Sequence, residues 1–202
     1  MIKIKICGLK CPEDIFYANE AKPDYIGFVF AESTRRIDFS RAAALRGMLS
    51  DKIIPVGVFV NDSITSITEL HKAEIIEMAQ LHGNEDESFI AALRENCSVP
   101  IIKSVAVKSE RDIAAARLSS ADYIMLDQGK GGSGRSFDWN LTGGLDRPFF
   151  LAGGVNIDNL ERAAKLSPYA VDISSGAERG NEKDRNKMIE LVRKIRKLSA
   201  GL

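Results

Sequence analysis

Eight short apolar runs recur along the chain, and they constrain the fold more than any other feature of the sequence. They are IKIKI (2–6), DYIGFVF (24–30), IIPVGVFV (53–60), EIIEMAQL (74–81), PIIKSV (100–105), DYIMLD (122–127), PFFLAGG (148–154) and YAVDISS (169–175). Each is too short for a core helix, rich in Ile, Val, Phe or Tyr, and bounded by polar or turn residues, which predicts strands.

Segments with helical spacing fill the intervals: 12–21, 40–49, 63–72, 85–96, 109–118, 156–166 and 184–198. Ser109 with Asp112 forms an acidic variant of the capping box, and Asn156 leads into Asp158 and Glu161 near an electropositive helix end. In the last segment Met188, Leu191, Val192 and Ile195 make one apolar face, with Arg and Lys on the other. The interval 137–145 is the weakest, because Gly143 and Gly144 leave room for only a short helix.

Eight alternating strand–helix units imply either an open doubly wound sheet or a closed barrel. Closure is favoured because polar or glycine residues follow almost every strand, including Cys7, Arg35, Asn61, His82, Lys103, Asp127, Gly153 and Ser174. An open sheet needs such equipment only near its switch point. The expected architecture is an α/β fold, a (β/α)8 TIM barrel forming one compact domain over residues 1–202.

Composition removes several function classes. Twenty-eight Lys and Arg balance 28 Asp and Glu, so no global positive field collects nucleic acid or an anionic membrane. The amino terminus MIKIKICG lacks the apolar core of a signal peptide, and no run reaches the length of a membrane span. Three cysteines, Cys7, Cys11 and Cys97, form no disulfide framework, and a cytoplasmic location is expected. CGLKC spaces Cys7 and Cys11 by three residues rather than two, and only His71 and His82 are available besides, so no metal site is expected.

The stretch GKGGSGRS (129–136) matches both the dinucleotide pattern and, apart from Arg135, the P-loop pattern. Neither context fits: it follows the sixth strand, no long helix succeeds it, and arginine has a different geometry from the P-loop lysine. A ligand-free surface loop is one reading. The other is the front of a monophosphate cup that includes Gly132 and Ser133, with Gly153, Gly154, Ser174, Ser175 and Gly176 after strands seven and eight as its back.

Asp127 closes the apolar run YIML. It is either a terminal aspartate accepting loop amides or an acid held above a phosphorylated substrate, in which case its value must be lifted from about 3.9. Cys7 ends the first strand beside Gly8. It is either a packed structural cysteine or, opposite an acid, a thiolate able to take a proton from carbon. His82 is a candidate substrate contact or a structural hydrogen-bonding group. Arg35 or Arg36 could fork onto a carboxylate, or both could be solvated charges.

In this order the motifs KICGL (5–9), DYIGFVF (24–30), STRRI (33–37), VGVFVN (56–61), QLHG (80–83), MLD (125–127), GGSGRSFDW (131–139), LAGGV (151–155) and VDISSGAE (171–178) resemble the phosphoribosylanthranilate isomerases of tryptophan biosynthesis. The resemblance implies an Amadori rearrangement of N-(5-phosphoribosyl)anthranilate with no metal or organic cofactor. It implies Asp127 as general acid, Cys7 as general base, Arg35 as the anthranilate-carboxylate ligand, and Gly132, Gly154, Ser175 and Gly176 in the phosphate cup. Arg36 stands where the family often has an aromatic residue. The partner expected is one small phosphoribosyl substrate, with a monomer or homodimer as the assembled form. The alternatives are an isomerase of another phosphoribosyl-amine, a class in which an aspartate normally replaces Cys7, and a barrel that only binds a phosphorylated metabolite.

Overall fold

Ile2, Ile4 and Ile6 pack among the residues between sheet and helices, while Lys3, Lys5 and Cys7 point the other way. Period-two alternation thus gives the first strand one face for the helices and one for the interior. The computed structural model describes residues 1–129 and 138–201. In it, β1 (Lys3–Cys7), β2 (Tyr25–Val29), β3 (Ile54–Phe59), β4 (Met78–Leu81), β5 (Ile101–Ala106), β6 (Tyr123–Asp127), β7 (Phe149–Leu151) and β8 (Ala170–Ile173) are parallel neighbours in sequence order. β8 pairs back onto β1, with Lys5 opposite Asp172. The sheet is a closed barrel, as the eight-unit repeat predicts.

The outer layer comprises α1 (Pro12–Ala21), α2 (Phe39–Arg46), α3 (Ile64–Lys72), α4 (Glu87–Asn96), α5 (Glu110–Leu118), α6 (Leu160–Lys165) and α7 (Arg185–Ala200). Asp38, Ser63, Asp86 and Asp184 cap α2, α3, α4 and α7 by accepting backbone N–H bonds. Asp112 accepts from the amides of Lys108 and Ser109, completing the box expected at α5.

One helix differs from the span that periodicity predicts. The segment 156–166 is helical only over Leu160–Lys165. The Asn156 carboxamide oxygen accepts from the amides of Asp158 and Asn159, so side chains claim the first turn's donors. In the weak interval a short 3-10 turn forms over Trp139–Gly144, in keeping with the glycines there, anchored by the buried indole of Trp139. A hairpin that periodicity does not reveal follows β8: β9 (Glu178–Arg179) pairs antiparallel with β10 (Glu182–Lys183).

The barrel interior is filled in layers. At the amino-terminal end the Lys3 ammonium donates to the hydroxyls of Tyr169 (2.8 Å) and Tyr25 (3.2 Å). Above it lie Val56, Met78, Ile102, Met125 and Phe150. Lys5, wholly buried, donates to Asp172 at 2.8 Å; stranding one partner of such a pair destabilises by about 3–5 kcal/mol. With the lower barrel packed, open space remains at the carboxyl ends of the strands. Among the described residues no helix is long and apolar enough to cross a membrane.

Candidate active site at the barrel mouth

A cavity of about 220 Å³ opens at that end. Its wall includes Cys7 from β1, His82 just after β4, Asp127 from β6, Gly153 and Gly154 after β7, and Ser174 and Ser175 after β8. Val29 and Val58 pack with Cys7 on its apolar side. Strand order separates Cys7 from Asp127 by β7 and β8 in one direction and by four strands in the other, so they stand on different sides of one opening.

The thiol sits where it does because β2 carries glycine opposite it. Gly27 pairs with Cys7, and a Cβ on Gly27 would fall 2.6 Å from the Cys7 sulfur. Gly8 serves the neighbouring arginine: its φ of +87° is the left-handed region, and the Arg35 side chain lies across the space a Cβ would take. Gly27→Ala is therefore expected to displace the thiol while leaving the remaining strands paired. Turnover should fall at least about tenfold, the scale of a roughly ångström-sized misplacement. Near-normal turnover in the folded variant would show that the thiol's position is not constrained by this contact.

Asp127 is almost fully buried; its Oδ1 accepts from the Gln128 amide at 2.7 Å, and its Oδ2 lies 3.4 Å from Nε2 of His82. The other ring nitrogen of His82 is 3.0 Å from the Gln80 carboxamide. Gln80 is itself buried on the cavity wall, and among the described residues its Oε1 has no hydrogen-bond partner. Burial pushes the Cys7 thiol up, and the Lys5 ammonium is the largest force opposing that rise.

Arg35 lines the cavity but is not a solvated charge. Its Nε and one terminal nitrogen donate to the two oxygens of Glu178, each at 2.7 Å. Two of its five N–H groups are thereby fixed in a planar fork. The Glu178 hydrogen bond, assisted by charge, holds the guanidinium above its ordinary value. Burial would raise Glu178, yet Arg35 and Lys183, whose ammonium is 2.6 Å away, keep it below the usual carboxylate range. Arg36 points elsewhere, to Glu32.

Ser174 donates from its hydroxyl to the Cys7 carbonyl oxygen at 3.2 Å, tying the two strand ends together. Gly176 approaches the chain after β7 so closely that a Cβ would meet the Val155 carbonyl. Gly132 and Ser133 lie outside the described residues. Among those described, no group of three or more His, Cys, Asp or Glu is arranged to share a metal ion.

Sequence reasoning missed Lys5, Asp172, Glu178 and Lys183. The alternation in IKIKIC marks Lys5 as sharing the face of Cys7, and Gly180-Asn181 between two charged pairs is a tight-turn signal for the hairpin. Both residues of that turn have positive φ.

A closed eight-stranded barrel that gathers titratable side chains and glycine turns around one cavity at the carboxyl ends of its strands belongs to the class of (β/α)8-barrel enzymes. The family model for N-(5'-phosphoribosyl)anthranilate isomerase matches residues 4–194. The chain is 50% identical over 203 residues to the N-(5'-phosphoribosyl)anthranilate isomerase of Endomicrobium trichonymphae, spanning 98% of this chain and 100% of that one. The crystal structure of phosphoribosyl anthranilate isomerase from Thermus thermophilus superposes with a TM-score of 0.89 at 30% identity, covering 98% of this chain and 100% of that one. A phosphoribosyl anthranilate isomerase in complex with reduced 1-(o-carboxyphenylamino)-1-deoxyribulose 5-phosphate matches with a TM-score of 0.83 at 32% identity, over 100% of both chains. The chain belongs to the N-(5'-phosphoribosyl)anthranilate isomerase family. It is an isomerase of tryptophan biosynthesis acting on a small phosphoribosyl metabolite, the Amadori rearrangement of N-(5-phosphoribosyl)anthranilate to 1-(2-carboxyphenylamino)-1-deoxyribulose 5-phosphate.

Proposed function

We propose that Cys7 and Asp127 carry this rearrangement between them, the aspartic acid as proton donor and the thiolate as base. The observation supporting this division is that the two groups line one cavity from different sides. Asp127 protonates the furanose oxygen as the C1–O bond breaks, and the nitrogen lone pair completes a protonated imine. That cation is the electron sink that acidifies C2. The thiolate removes the C2 proton, giving an enolamine that tautomerises to the ketone. Little is asked of the protein beyond placing an acid and a base around an anchored sugar.

Arg35 binds the anthranilate carboxylate in this scheme. Its guanidinium borders the cavity, and Glu178 holds it in a fixed orientation so that little freedom is lost on binding. Gly153, Gly154, Ser174, Ser175 and Gly176, with Gly132 and Ser133 from the sixth loop, form the phosphate cup. Four of these, Gly153, Gly154, Ser174 and Ser175, border the same cavity, where glycine lets amides approach an oxyanion closely. His82 touches the substrate from beside Asp127. The enzyme works as one domain in the cytosol.

The test follows loss of anthranilate fluorescence with freshly made substrate. Arg35→Ala should raise KM at least about tenfold, the scale of a lost charge-assisted hydrogen bond, while an analogue lacking the carboxylate is affected far less. Equal losses for both would assign Arg35 a structural role, and binding without any fluorescence change would favour a barrel that merely holds the metabolite.

A further inference from the structure

A buried base has a difficulty of its own. The thiolate of Cys7 must exist in a wall made of Val29, Val58 and strand backbone, where burial favours the neutral thiol. Something nearby must supply a compensating positive charge.

The charged groups acting on that thiol come from several elements. Lys5 is on β1 itself, Asp172 on β8, Lys183 on β10, and Arg35 follows β2. Lys183 and Arg35 share a single carboxylate, Glu178, and Lys5 has Asp172. Three cations thus face two carboxylates before substrate binds, which leaves an excess of positive charge around the thiol. Arg35 and Lys183 are tied to Glu178 on the hairpin, and burial draws Lys183 down. Lys5 differs from both. It lies two residues before Cys7 on the same strand and so on the same face, about 6.6 Å along the chain, within a lysine side chain's reach. It is wholly enclosed, so no solvent screens it. Asp172 takes one of its three N–H donors at 2.8 Å and fixes where the others point.

We propose that Lys5 is a positioning residue for the rearrangement: its ammonium, oriented by Asp172, is the counter-charge that stabilises the thiolate form of Cys7. The proposal rests on the reading of Cys7 as base. Direction supports it from both sides. Burial would pull the Lys5 ammonium down, yet Asp172 and then Cys7 leave it above the ordinary lysine value. Reciprocally, the charge of Lys5 is the largest influence drawing the thiol back down against its burial. Lys5 exchanges no proton with substrate; the C2 proton passes to sulfur alone.

The sign is definite. Removing the cation must move thiol ionisation to higher pH, so activity lost at neutral pH returns as pH rises. The experiment uses a C11S/C97S background, in which Cys7 is the single thiol, and measures iodoacetamide alkylation of Cys7 against pH alongside kcat/KM. Lys5→Met should shift the alkylation midpoint upward by at least about one pH unit and slow alkylation near pH 7 about tenfold. kcat/KM should fall by a similar factor there and recover in alkali. Because this variant strands Asp172, K5M/D172N serves as a second probe that keeps no charge in the pair; its midpoint should lie between those of background and K5M. If either folded variant loses activity uniformly, with an unmoved alkylation profile, Lys5 is only structural and the proposal fails. A shifted alkylation profile with an unchanged rate profile would instead uphold the role of Lys5 and overturn Cys7 as base.

Discussion

Replacing Asp127 with asparagine is expected to lower kcat by at least about a hundredfold, the usual contribution of a positioned proton-transfer group. That factor corresponds to about 2.7 kcal/mol of lost transition-state stabilisation. The carboxamide nearly matches the carboxyl in size. Its oxygen can still accept the Gln128 amide that Oδ1 now takes, and its other end remains beside His82. The strand end is therefore preserved, and the variant should unfold within a few degrees of the parent. What it lacks is an ionisable proton for the furanose oxygen. Ring opening without that proton expels a high-energy alkoxide.

The distribution of the loss matters as much as its size. A residue that only shapes the cavity would raise KM with kcat preserved, whereas a proton donor used in the transition state lowers kcat with substrate affinity little changed. A product analogue should accordingly bind D127N about as tightly as it binds the parent. Turnover near that of the parent in purified, folded D127N would remove Asp127 from the chemistry and point to His82, 3.4 Å away, as the donor to examine next.

Asp127 was visible in the sequence because it ends a run of apolar residues and opens a glycine-rich loop, and Cys7 because it ends the first strand. Strand ends are where a barrel displays its chemistry, so locating eight strands located these residues too. The ion-pair cluster behind them was not legible in the same way. Glu178 and Lys183 come together with Arg35 through a hairpin of two-residue strands, far below the length at which alternation can be recognised. Lys5 was legible as alternation in IKIKIC, but its partner Asp172 is 167 residues away and meets it only because β8 closes onto β1. The helix expected over 156–166 starts late, at Leu160, for a local reason: the caps that announce a helix also make side-chain turns, and here Asn156 and Asn159 made one.

The complementary prediction concerns the base. Cys7→Ala should abolish nearly all turnover, again at least about a hundredfold in kcat, with KM little altered. Only one heavy atom is removed, from a site lined by Val29 and Val58 at the edge of the open cavity, so the fold should survive the loss. Cys7→Ser sharpens the test because it restores size and polarity without restoring a usable base. A hydroxyl ionises far above the thiol's ordinary value of about 8.5, so serine beside Lys5 remains protonated at every pH the fold tolerates. C7S should consequently be as inactive as C7A, and raising the pH should not revive it. If serine supported turnover near that of the parent, the C2 proton would have to leave by another route. The sulfur would then be a packing group over Gly27, and the charge arrangement around Lys5 would need a different explanation.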